Sequence, residues 1–219
     1  MTTWLVDAIL FDLDGTLVDS AGSVERSWKK LADRIGRPWP EVQPHIHGVP
    51  VAQVMALLEP DMPADRVADL RDFMVENEST DTVGVVAQPG AGQVLATLPA
   101  ERVAIVTSGG VRLASSRIAA AGLPTPAVVV TADDVSVGKP DPAPYLMGAS
   151  LLGFPPERCL VVEDAPAGVT SAKAAGCPVI GVLTTHAALD APSVTSLDQV
   201  RFTPVDGGIE VSIPDGPAG

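Results

Sequence analysis

Short unbroken apolar runs alternate along the chain with segments whose apolar residues recur every three or four positions. The runs are Leu5-Val6-Asp7-Ala8-Ile9-Leu10, Arg102-Val103-Ala104-Ile105-Val106, Ala127-Val128-Val129-Val130, Cys159-Leu160-Val161-Val162 and Pro178-Val179-Ile180-Gly181-Val182-Leu183. Apolar runs of this length with no period of two predict strands of a parallel sheet, covered on both faces. Between them, residues 91–98, 112–121 and 142–152 and the segment from Gly168 to Gly176 predict helices, punctuated by Gly122, Gly153 and Pro155. Five strands alternating with helices predict an α/β fold with a doubly wound parallel sheet.

Residues 21–84 break that rhythm. A helix is predicted from a cap at Ser20 through Val24, Trp28, Leu31, Ala32 and Ile35, ending at Gly36. A proline-rich loop follows, carrying His45 and His47, and then two more helical patterns over residues 51–58 and 63–78. No strand-type run occurs here, so residues 21–84 read as a helical insertion after the first strand. The α/β domain would then comprise residues 1–20 and 85–219. In the tail, residues 192–219, Ile209-Glu210-Val211-Ser212-Ile213 alternates as an edge strand would; the pattern gives the tail no function.

The ends of four predicted strands carry polar residues where the pattern calls for none. Asp12 and Asp14 follow the first strand and, two apart in extended chain, project the same way. Carboxylates held together repel and call for a cation or a proton. Thr107-Ser108-Gly109-Gly110 follows the second strand, Lys139 the third, and Glu163-Asp164 the fourth. In a parallel sheet these ends converge on one edge, where α/β proteins place their sites. Such a set suits phosphorus chemistry. Carboxylates would hold a hard cation such as Mg²⁺, while Lys139 and the loop amides after Ser108 would hold phosphate oxygens.

Composition narrows the partners. The 219-residue chain is 46% hydrophobic and 19% charged, a globular balance long enough for a real core. Its net charge of −13 argues against nucleic acid and anionic membrane surfaces. No apolar run approaches the roughly 20 residues of a membrane span, and no basic-then-apolar leader opens the chain. Two cysteines, Cys159 and Cys177, each beside an apolar run, fit buried thiols in a reducing cytoplasm best, a disulfide being the unforced alternative.

The segments FDLDGTLVDS, VTSGG, GKPDPAPY and VVEDAPAG, in that order, resemble the four motifs of the haloacid-dehalogenase-like hydrolase superfamily, and the insertion at 21–84 resembles its helical cap on a Rossmann-like core. GKPDPAPYLMGASLLG and VVEDAPAGVTSAKAAGC further resemble the branch acting on sugar and polyol phosphates, such as 2-deoxyglucose-6-phosphate and glycerol-phosphate phosphatases.

The resemblance implies a Mg²⁺-dependent phosphomonoesterase. It makes Asp12 the nucleophile that forms an aspartyl-phosphate and Asp14 the general acid and base, its carbonyl also on the metal. Asp164 becomes a direct metal ligand and Glu163 a more peripheral one. Ser108, Gly109 and Lys139 become the phosphate-binding groups. His47 and Glu78 are candidate substrate contacts in the cap. A small phosphorylated metabolite is the expected partner, and a monomer the expected state. Asp14 argues against dehalogenation, which dispenses with the second aspartate, and Val24 stands where the mutase branch carries a histidine. Phosphoglycolate or another small-metabolite phosphatase, a capped phosphomutase and a receiver-type phosphoacceptor are the alternatives.

Overall fold

A computed structural model describes residues 1–46 and 50–214, which form two compact units, residues 20–85 and the remainder of the chain.

The larger unit is built on a six-stranded parallel sheet of order β6-β5-β2-β7-β8-β9. Its strands are β2 (Ala8–Phe11), β5 (Val103–Val106), β6 (Val128–Val130), β7 (Cys159–Glu163), β8 (Val179–Val182) and β9 (Ser193–Val194). β2 lies between β5 and β7, with Leu10 opposite both Ala104 and Val161. Successive side chains face opposite sides, so two apolar layers form. Ala8, Leu10, Ala104, Val106, Val130 and Val161 make one core, with Tyr145 and Ala149 of α7 (Ala143–Leu152) and Val169 and Ala172 of α8 (Pro166–Ala174). Ile9, Phe11, Ile105 and Leu160 are fully buried on the other face. The unit also contains α5 (Ala91–Thr97) and α6 (Val111–Ala120).

The first apolar run is not one strand. β1 (Thr2–Val6) leaves the parallel sheet and pairs antiparallel with β11 (Gly208–Ile213), which also pairs with β10 (Arg201–Val205). The break falls at Asp7. Its N–H donates to the Arg158 carbonyl (2.7 Å), its carbonyl accepts from Arg102 Nη1 (2.7 Å), and Arg158 grips its carboxylate through Nε and Nη2 at 3.0 and 2.9 Å. A backbone engaged in this way cannot continue a ladder. The expected edge strand at 209–213 is therefore central in a three-stranded sheet. Phe202 of β10 meets Phe11 with ring centroids 5.7 Å apart, so this sheet closes over the residue just before Asp12.

The two chain crossings at the end of this unit meet each other: β3 (Val18–Asp19) pairs with β4 (Val86–Ala87) in a short antiparallel ribbon.

The smaller unit contains α1 (Ala21–Ile35), α2 (Trp39–Val42), α3 (Val51–Leu58) and α4 (Ala64–Thr80). Among the described residues it holds no strand. Trp28, Leu31, Ala32, Val54, Met55, Leu70 and Met74 form its core, at the three-and-four spacing of single helix faces. Ser20 stands at the N-cap of α1 but makes no capping side-chain bond. The unit is fastened instead at Asp81, whose carboxylate receives Arg26 Nε and Nη2 at 2.7 and 2.8 Å and whose carbonyl receives the Ser23 hydroxyl at 2.6 Å.

Candidate active site

β2 ends at Phe11, and the Asp12 N–H still donates to the Val162 carbonyl at 3.0 Å, which fixes the start of the loop. The chain then doubles back. The Gly15 N–H donates to Val18 O (2.8 Å), while the Leu17 and Val18 N–H groups both reach Leu13 O (2.9 Å). Gly15 has φ +89°, and any Cβ there would collide with Asp164 Oδ2. The glycine of the first motif is thus required twice, for its left-handed backbone and for the carboxylate pressed against it.

Lys139 organises the interior of the site. Its Nζ donates to Asp12 Oδ1 at 2.7 Å, Glu163 Oε1 at 2.8 Å and Val106 O at 2.9 Å, which uses all three ammonium protons. The ammonium also stands 4.8 Å from the Tyr145 ring centre, and the Tyr145 hydroxyl donates to Glu163 Oε1 at 3.0 Å. The other Glu163 oxygen accepts the N–H groups of Asp164 and Ala165 at 2.8 and 2.9 Å, at the start of α8. Gly168 makes room for this. A Cβ at that position would overlap Glu163 Oε1.

The charge balance in this nest is negative. Asp12, Glu163 and Asp164 are all buried, and each places one oxygen within 4.8 Å of the others. Burial pushes the Asp12 carboxyl well above the usual range, against the pull of Lys139. Burial, and then the Glu163 charge, lift Asp164 to about 7. Burial opposes the charge on Lys139, but Asp12 and Glu163 outweigh it and hold the ammonium well above its ordinary value. Three carboxylates against one ammonium, all with oxygen donors, are a donor set that fits a hard divalent cation.

Asp14 faces a different neighbour. Its Oδ1 is 2.5 Å from Nη1 of Arg117, a buried residue of α6. Ser108 lies exposed on the turn between β5 and α6, and the Gly109 N–H donates to Thr107 Oγ1 at 3.1 Å. Glu78 is half-buried on α4 in the smaller unit. His47 lies outside the described residues.

The structure thus brings Lys139 into contact with Asp12 and Glu163 and sets an Asp164 oxygen within 4.8 Å of both carboxylates, and it adds residues that the sequence does not single out. Tyr145 sits inside the GKPDPAPY segment. Thr185 Oγ1 lies 2.5 Å from Asp164 Oδ2 and 3.0 Å from its carbonyl, and His186 Nδ1 is 3.2 Å from the same carbonyl. Arg117 had a legible signal, a charge among the inward-facing Leu113, Ala114 and Ile118 of α6.

Residues 6–176 match the haloacid dehalogenase-like hydrolase family, and the chain belongs to it. It is 47% identical over 196 residues to hexitol phosphatase A of Escherichia coli, covering 87% of this chain and 88% of that protein. It is 32% identical over 194 residues to glycerol-1-phosphate phosphohydrolase 2 of Saccharomyces cerevisiae, covering 82% and 76%. Among solved structures, a hydrolase from Pseudomonas syringae superposes with a TM-score of 0.72 at 30% identity, covering 82% of this chain and 85% of that one. The protein is a phosphoric monoester hydrolase of this family. No helix among the described residues is long and apolar enough to cross a membrane.

Proposed function

We propose that the protein hydrolyses a small sugar or polyol phosphate in the cytoplasm, as a monomer, through an aspartyl-phosphate on Asp12. The observation that carries the reading is the shared ammonium: Lys139 bonds Asp12 and Glu163 at once, beside Asp164. The similarity to a hexitol phosphatase and a glycerol-1-phosphate phosphohydrolase supports the substrate class.

Asp12 attacks phosphorus, the bond to the leaving oxygen breaks, and Asp14 delivers a proton to that oxygen. Asp14 then takes a proton from the water that splits the aspartyl-phosphate, releasing phosphate and restoring Asp12. Lys139 holds the nucleophile in place and offsets charge on the transferred group, while Ser108 and the Gly109 amide bind its oxygens. Mg²⁺, held by Asp12, Asp164 and the Asp14 carbonyl with Glu163 behind them, would neutralise phosphate charge. Residues 20–85 would select the substrate as a cap, with Glu78 among its contacts, and the crossings joined by β3 and β4 would serve as its hinges.

A phosphate-release screen with Mg²⁺ tests this, using hexitol, glycerol, 2-deoxyglucose and glycolate phosphates and nucleotides. Turnover of the polyol and sugar esters, abolished by chelation, is expected. Turnover confined to nucleotides or phosphoglycolate, or a single stoichiometric phosphorylation, would overturn it.

A further inference from the structure

Helix α6 turns Leu113, Ala114, Arg117 and Ile118 inward, and Arg117 is only 3% exposed. Three of these four positions are apolar, as an inward face requires. The fourth carries a guanidinium that reaches across the fold to Asp14, with Nη1 2.5 Å from Oδ1. A buried ion pair stabilises a fold poorly, because the loss of hydration offsets most of the attraction. An apolar side chain here would hold α6 at least as well, so packing does not account for an arginine.

The partner does. The Asp14 side chain is 27% exposed, open on one side and held by Arg117 on the other. An aspartate side chain has two torsions and several rotamers, and proton transfer demands one of them. The planar guanidinium is well suited to fixing a carboxylate, since its donors are set in one rigid fork. The same helix begins directly after the Ser108–Gly110 loop, and its first N–H, that of Val111, is anchored by Asp133 Oδ2 at 2.8 Å. One rigid element therefore joins the phosphate-binding loop to the proton-transfer residue.

We propose that Arg117 is a positioning residue for proton transfer, holding Asp14 in the orientation that meets the leaving oxygen. The inference rests on the reading of Asp14 as general acid. In the step it serves, the Asp12–phosphorus bond forms, the bond from phosphorus to the leaving oxygen breaks, and the Asp14 proton ends on that oxygen.

The test is single-turnover phosphorylation of Asp12 by a hexitol phosphate, whose alkoxide needs the proton, and by p-nitrophenyl phosphate, whose phenolate does not. Arg117→Met is expected to slow transfer from the hexitol ester by about 10- to 100-fold, part of the roughly 10²–10⁴-fold that general acid catalysis supplies, with a much smaller loss on the aryl ester and little change in KM. Arg117→Lys is expected to show the same split in milder form, and it serves if the methionine variant fails to fold. Asp14→Asn combined with Arg117→Met is expected to be no slower than Asp14→Asn alone, because the effect of Arg117 on proton transfer passes through Asp14. Equal losses on both esters, or losses that multiply in the double variant, would overturn the proposal. A wild-type enzyme inert toward both esters would instead sink the phosphatase reading itself.

Discussion

Lys139 donates to Glu163 at 2.8 Å, almost as closely as it does to Asp12 at 2.7 Å. The lysine is therefore placed by two carboxylates, and it keeps a buried partner when either is neutralised. Asp12→Asn should consequently leave the fold intact, since Glu163 and the Val106 carbonyl still hold the ammonium. The amide is no nucleophile, so turnover is expected to fall by about 10⁴-fold or more, within the span of enzymatic rate enhancements. Steady-state phosphate release together with near-UV circular dichroism checks both halves. Turnover near the wild-type level would rule out attack by Asp12.

Gly168→Ala opposes two effects of known sign. Gly168 lies within α8, where alanine is favoured over glycine by about 1 kcal/mol. The added Cβ would overlap Glu163 Oε1 and drive that carboxylate from Lys139, Tyr145 and the two amides it accepts. Displacing a buried, hydrogen-bonded charge costs roughly 1–3 kcal/mol or more, so the clash wins. The variant should be net less stable in urea and much less active. A more stable, fully active Gly168→Ala enzyme would mean that the position of Glu163 matters little.

The raised Asp164 carboxyl gives stability a definite pH slope. Its folded value of about 7 exceeds the ordinary carboxylate value, so the folded state binds the extra proton between the two. That contribution is complete below about pH 4 and is lost as pH climbs through about 7. Asp7, Asp81 and Asp134 are held low by Arg158, Arg26 and Thr131, and they act only at more acid pH. In chelator, the thermal midpoint should therefore fall between pH 5.5 and pH 8. Asp164→Asn should flatten that slope, and Mg²⁺ should raise the midpoint most at the alkaline end. A midpoint that rises with pH in chelator would contradict this assignment.

The four motifs were legible because each sits at a strand end, where a polar residue stands out against an apolar run. The parallel sheet was legible for the same reason. The break at Asp7 was not, because it is made by Arg102 and Arg158, far along the chain. Nor did alternation in residues 209–213 separate an edge strand from a central one. Both faces of a two-faced strand read alike whether one neighbour or two supply hydrogen bonds. Thr185 left no trace either, since a threonine after a strand is ordinary until the fold sets it against Asp164. Arg117 differs, because a lone charge on the apolar stripe of α6 is visible in one dimension.

The pairing of β1 with β11 joins segments that lie far apart along the sequence. Phe202, whose ring meets Phe11, comes from β10, the strand just before β11. A chain ending near residue 190 would carry all four motifs and still lack the ring packed on Phe11, the residue before Asp12.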